Sequence, residues 1–114
     1  MYVGVDIVHI ERIKKNIKNI AFIEKIFTTK EIKYCNSYTN PINHFSGKFA
    51  AKEAVKKALL SGKIVNSISM KDIQVLNNSD KSPYIAVNNL DDIKFSISIS
   101  HDGDYAIAFV IIKK

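Results

Sequence analysis

The sequence predicts an α+β fold, an antiparallel sheet packed against a long central helix. Three observations predict it. Apolar residues recur at three- and four-residue spacing through the first half, then alternate or run together in the second. The alanine-rich stretch from Ile42 to Leu60 holds no interior proline and reads as one long helix. Finally, Phe95, Ile97 and Ile99 alternate with Ser96, Ser98 and Ser100, and Asp102-Gly103 then turns the chain into an apolar run from Tyr105 to Ile112.

Tyr2 to Val8 is rich in β-branched residues and predicts the first strand. Ile10, Ile13, Ile17 and Ile20 follow at helical spacing, with Glu11, Arg12, Lys14, Lys15 and Lys18 between them, which predicts one amphipathic helix with a basic outer face. Phe22, Ile23, Ile26 and Phe27 form a short apolar patch after it. Thr28 and Glu31 have the spacing of a capping box, so a helix begins there, turns Ile32 and Cys35 inward and ends before Pro41. In the long helix Ala51, Ala54, Val55, Ala58 and Leu59 share one face, and Glu53 with Lys57 lies on roughly the opposite one. Ser61-Gly62 ends it. Ile73 to Leu76 and Tyr84 to Val87 are strands joined by the turn-rich segment Asn77 to Pro83. The final strand is apolar almost throughout and is expected at the centre of its sheet.

The 114 residues favour a single domain over 1–114, one in which oligomerisation would support a small core. No run approaches the roughly 18 apolar residues of a membrane span, and the N-terminus meets an acid at Asp6, unlike a signal peptide. One cysteine, Cys35, forms no intramolecular disulfide and reads as a small buried hydrophobe. These features point to the cytoplasm, without membrane association. The net charge of +6 comes almost wholly from lysine, since Arg12 is the only arginine. That disfavours base reading through bidentate arginine. It leaves nucleic-acid backbone, an acidic protein or a polyphosphate as partners. A small basic domain that holds nucleic-acid backbone without catalysis is the rival reading, but Phe45, Phe49, Phe95 and Phe109 fall in apolar patterns rather than on a basic sheet face.

Three segments carry the candidate chemistry. Gly4-Val5-Asp6-Ile7-Val8 sets an acid in an apolar strand, the long helix carries Glu53 and Lys57 one turn apart, and Ser98-Ile99-Ser100-His101-Asp102 precedes the last strand. Taken singly, a strand-end acid is usually a cap or turn residue. An i,i+4 pair such as Glu53 and Lys57 is worth about 0.2–0.5 kcal/mol on a surface. Taken together, two carboxylates from separate elements suit magnesium, which takes oxygen ligands and keeps several waters. A lysine beside them suits a phosphate. His101 has no Cys or His neighbour at zinc-ligand spacing.

In combination the segments Gly4-Val5-Asp6-Ile7-Val8-His9-Ile10-Glu11-Arg12-Ile13, Gly47-Lys48-Phe49-Ala50-Ala51-Lys52-Glu53-Ala54 with Lys57-Ala58, and Ser98-Ile99-Ser100-His101 resemble the holo-(acyl-carrier-protein) synthases, the small bacterial 4'-phosphopantetheinyl transferases. The resemblance covers essentially the whole chain, in order. It implies a 4'-phosphopantetheinyl transferase-like fold and the magnesium-dependent transfer of the 4'-phosphopantetheine arm of coenzyme A to a serine of apo acyl carrier protein. Adenosine 3',5'-bisphosphate leaves, and the product serves fatty acid biosynthesis. By the same resemblance, Asp6 and Glu53 hold the metal, and Asp6, Glu53 and Lys57 are catalytic. Lys48, Lys57, Ser100 and His101 contact coenzyme A. Arg12, Lys14, Lys15, Lys18 and Phe22 meet the acidic carrier protein. A homotrimer with sites at the subunit boundaries is implied. The chain departs from the family pattern at Lys48, where arginine is frequent, at Leu60-Ser61-Gly62, where Gly-Thr-Gly is common, and at Thr29, a position that arginine can occupy in relatives.

Overall fold

The axis of the molecule is a helix of 21 residues, α4 (Pro41–Ser61). The computed structural model describes residues 1–113. Before α4 come β1 (Tyr2–His9), α1 (Ile10–Asn16), α2 (Ile20–Ile26) and α3 (Thr29–Asn36). After it come a 3-10 turn (Met70–Asp72), β2 (Ile73–Asn77), β3 (Pro83–Val87), β4 (Lys94–Asp102) and β5 (Tyr105–Lys113).

The antiparallel strands form two sheets rather than one. The larger has the order β1-β5-β4, and β2 pairs only with β3. β5 is central, as its apolar run predicts: Ala106, Ala108, Val110 and Ile112 are all fully buried. They face α4, whose Ala50, Ala51, Ala54, Val55, Ala58 and Leu59 are fully buried too. The alanines let the sheet approach closely, and each buried Val, Leu or Ile side chain contributes roughly 1.5–3 kcal/mol.

Gly4 is the closest point of that approach. A Cβ built there would lie 2.0 Å from the Ala54 carbonyl oxygen and 3.1 Å from the Ala58 Cβ. Only glycine brings β1 so near the backbone of α4.

The segment after β1 differs from the single amphipathic helix expected there. The chain breaks at residues 17–19, and Asn19 starts α2 by accepting a hydrogen bond from the Ala21 amide at 2.9 Å. An internal N-cap restarts the helix in a new direction and leaves Ile20 exposed. Pro41 ends the reach of α3, and it also occupies the first turn of α4, where its missing N–H costs nothing. The capping box at Thr28 and Glu31 forms in both directions. Cys35 is fully buried, and burial pushes its thiol up to about 12.

Candidate active site

Two places on α4 carry the candidate chemistry. The first is the seam with β1. Gly4, Asp6 and Val8 share the inward face of β1. The strand runs antiparallel to the helix, since Tyr2 lies against Gly62 and Gly4 against Ala54 and Ala58. Two residues of strand advance about 7 Å, which corresponds to roughly 4.5 residues of helix. Asp6 therefore falls at the level of the turn that carries Lys52 and Glu53. Lys57 reaches back along the helix, as helical side chains do, and donates to Asp6 Oδ1 at 2.7 Å and to the Val5 carbonyl at 3.3 Å. Lys57 thus pairs with Asp6 rather than with Glu53, the partner its spacing suggests. Asp6 is largely covered while Lys57 stays exposed. Among the described residues no other side chain donates to Asp6, and Glu53 makes no ion pair. Asp6 on the strand and half-buried Glu53 on the helix are carboxylates, and carboxylate oxygens are the ligand type that a hard divalent cation takes.

The second place is a cleft of about 530 Å³ on the other flank of α4, bounded by β4, α3 and the β2–β3 hairpin. His101 stands at its rim with Nε2 2.8 Å from the Asn43 carbonyl oxygen. Gly47 makes this possible, because a Cβ there would press on the His101 ring and on Ile99 at 3.0–3.2 Å. Tyr38 stacks on His44 with ring centroids 3.8 Å apart, and the Tyr34 and Tyr38 hydroxyls are 2.9 Å apart. Burial pushes the Tyr34 hydroxyl up to about 12, helped by its bond to Tyr38. Burial also lowers the pKa of His44, and the charges of His101, Lys48 and Lys81 add to the effect.

Lys48 is buried in the wall between α4 and β2. Its ammonium donates to the Val75 carbonyl and to Asn77 Oδ1, both at 2.6 Å, and sits 4.6 Å from the centroid of Tyr34. Next to it is a second buried cation that the sequence pattern does not reveal. Lys52 is fully buried and pairs with fully buried Glu31. Burial lowers the pKa of both lysines, and Glu31 opposes that for both. Glu31 also accepts from the Thr28 amide and from the Val75 amide, both at 2.8 Å. Val75 lies on the unpaired edge of β2, and Glu31 and Lys48 satisfy its N–H and C=O as a neighbouring strand would. A buried backbone edge needs such partners, which explains why two charges occupy a core position.

The remaining expected residues fall as follows. Ser100 is exposed on the outer face of the large sheet opposite Ile107, away from the cleft. The inner positions are those of Ile99 and His101. Arg12, Lys14, Lys15 and Lys18 are exposed around α1. Phe22 is half-buried and stacks on Phe49 at 6.0 Å, so one face of its ring is already engaged. The seam and the cleft are distinct places within one chain. Lys48 and His101 line the cleft, whereas Asp6 and Lys57 meet on the β1 side of α4.

Comparison with known proteins shows the family. Residues 2–110 match the family model described as the 4'-phosphopantetheinyl transferase superfamily. The chain belongs to that superfamily. A holo-(acyl-carrier-protein) synthase of Thermodesulfovibrio yellowstonii is 47% identical over 112 residues, 96% of either chain. The solved holo-(acyl-carrier-protein) synthase of Helicobacter pylori in complex with coenzyme A is 36% identical with a TM-score of 0.82, covering 97% of this chain and 99% of that one. The ACPS–CoA complex of Chronobacterium ammoniagenes superposes with a TM-score of 0.86 at 25% identity, covering 98% of this chain and 96% of that one. This member of the superfamily is therefore an enzyme with the α+β fold that its sequence resemblance implied.

Proposed function

We propose that this phosphopantetheinyl transferase acts as a single domain in a cytoplasmic homotrimer. It moves the 4'-phosphopantetheine arm of coenzyme A to the serine hydroxyl of apo acyl carrier protein, for fatty acid biosynthesis. The observation that carries the reading is the Asp6–Lys57 contact across the β1–α4 seam, at the level of Glu53. Coenzyme A bound to solved relatives supports the choice of donor.

In the reaction the serine oxygen attacks the phosphorus that bears the arm. The bond to the bridging oxygen breaks, and adenosine 3',5'-bisphosphate leaves with the electron pair. Asp6 and Glu53 would hold magnesium at the seam. When bound, such an ion neutralises charge on the pyrophosphate oxygens and improves the leaving group. Lys57 places a compact positive charge beside them, where negative charge develops. A carboxylate of the pair accepts the serine proton, directly or through water. His101 and Lys48, on the cleft, receive the nucleotide end. Arg12, Lys14, Lys15 and Lys18 present a cationic surface that steers an acidic carrier protein into place.

Two features favour the trimer. The outer face of the large sheet exposes Val3, Val5, Ile7, Ile107 and Phe109, an apolar surface that copies of the chain would cover. The separation of seam and cleft also suits a site completed by a neighbouring subunit, in which the seam of one chain faces the cleft of another.

The test is the mass of apo acyl carrier protein after incubation with coenzyme A and magnesium. The wild-type protein adds one phosphopantetheine arm. Asp6→Asn and Glu53→Gln each abolish the addition while the circular dichroism stays native. Full transfer by either variant would remove the metal assignment.

A further inference from the structure

Lys81 sits in the turn between β2 and β3 with φ at 73°, a left-handed conformation that side chains rarely adopt. The turn is held there from several directions. The Lys81 amide donates to the Asn78 carbonyl at 2.8 Å, the Asn77 side-chain amide donates to the Lys81 carbonyl at 2.9 Å, and the Asn78 amide donates to the Ser82 carbonyl at 2.9 Å. Glycine fits such a position without strain, so a lysine there asks for a reason. The consequence of the conformation is where the side chain goes. Lys81 lines the large cleft, with its ammonium 5.7 Å from the centroid of Tyr38, the ring stacked on His44.

The cleft then carries Lys48, Lys81, His44 and His101, and no carboxylate among the described residues of its lining. The nearest acid of the turn, Asp80, is already engaged by the Ser82 amide at 3.0 Å and hydroxyl at 2.6 Å. The two lysine ammoniums in this concave wall, with no carboxylate beside them among the described residues of the lining, focus a positive potential that suits a multiply charged anion, and the imidazoles add polar contacts. Lys48 is held by Val75 and Asn77. Among the described residues the Lys81 ammonium has no carboxylate partner, and the residue is exposed at the cleft, so it is the cation best able to turn toward a ligand.

We propose that Lys81 is an affinity-determining residue for the phosphate-bearing co-substrate, reaching a terminal phosphate monoester from the turn, and that its strained backbone is the cost of aiming it there. The proposal rests on coenzyme A as donor. It adds a residue that the motif segments do not contain. It also separates the roles of the two places: the seam serves the reacting pyrophosphate, and the turn serves the far phosphate.

Two variants test it. Lys81→Gly removes both charge and strain, and Lys81→Gln removes the charge alone. In each, KM for coenzyme A rises about tenfold with kcat within about twofold of wild type. KM for 3'-dephospho-coenzyme A, which lacks the monoester, hardly changes. Lys81→Gly also raises Tm by roughly 4 °C at equal protein concentration, whereas Lys81→Gln leaves it in place. A change of stability alone would move Tm without moving the ratio of the two KM values. An unchanged KM for coenzyme A, an equal rise for both donors, or no gain in Tm for Lys81→Gly would overturn the proposal. Calorimetric titration of adenosine 3',5'-bisphosphate separates this idea from the transfer reading. Wild-type binding that weakens about tenfold in both variants, in a protein that transfers no arm, sinks the transfer reading and sustains Lys81. Normal transfer with unchanged KM in the variants does the reverse. A wild-type protein that neither binds the bisphosphate nor transfers overturns both.

Discussion

Replacing Gly4 by alanine should cost far more activity than stability. The added Cβ would stand 2.0 Å from the Ala54 carbonyl oxygen, 3.0 Å from its carbon and 3.1 Å from the Ala58 Cβ. The first two are backbone atoms inside α4 and cannot rotate aside. Restoring an ordinary carbon–oxygen contact of about 3.3 Å requires β1 and α4 to separate by more than ~1 Å. Overpacking of this kind costs about 1–3 kcal/mol, which a domain of 5–15 kcal/mol survives. The seam is less forgiving. Asp6 lies two residues beyond Gly4 on the same face of β1, and Glu53 and Lys57 ride on the same helix as Ala54. Catalytic groups displaced by about 1 Å lose on the order of 100-fold in rate. The assay is transfer to apo carrier protein at saturating coenzyme A, with circular dichroism and Tm measured alongside. The expected result is a near-native spectrum, a modestly lowered Tm and a kcat reduced about 100-fold. Adding Ala58→Gly to Gly4→Ala should not rescue it, because the decisive contact is with a carbonyl oxygen. Activity within threefold of wild type, or rescue by Ala58→Gly, would refute the seam as the reacting centre.

Two further outcomes follow from the buried charges and the cleft. Glu31→Met leaves the Lys52 ammonium uncompensated in the core and frees the Val75 amide, and it should cost about 3–5 kcal/mol in denaturant unfolding. The double variant Glu31→Met with Lys52→Met should recover much of that loss, and strictly additive effects would count against a coupled pair. Folding stability should fall as pH drops below about 6.5, in part because His44 is held neutral. Its pKa in the folded protein is lowered by burial and neighbouring cations, so the unfolded chain takes up the proton first. His44→Gln should flatten this part of the stability profile, and an unchanged slope would exclude His44 as its source.

The elements that the sequence revealed are those decided by local periodicity. The capping box at Thr28 and Glu31, the span of α4 and the central apolar β5 each follow from spacing along the chain. Asp6, Glu53 and Lys57 stood out as candidates because polar residues interrupt otherwise apolar or alanine-rich patterns, and because their motifs resemble a family. The break between α1 and α2 was less legible, since Asn19 reads as a helix surface residue until its side chain caps the next turn.

What the sequence by itself determined was the order of strands and helices, the face each buries and the residue types available for phosphoryl transfer. Only the tertiary structure decided which charges go inside. Lys48 and Lys52 look like solvent-facing helix residues, yet Lys48 is buried because the open edge of β2 at Val75 needs a donor, and Lys52 because Glu31, which supplies the acceptor, needs a counter-charge. It also decided that Lys57 pairs with Asp6, that Ser100 turns outward and that Lys81 turns in over Tyr38. Helical and strand spacing record which side chains share a face. They carry no information about what, from residues 20 to 50 positions away, will pack against it.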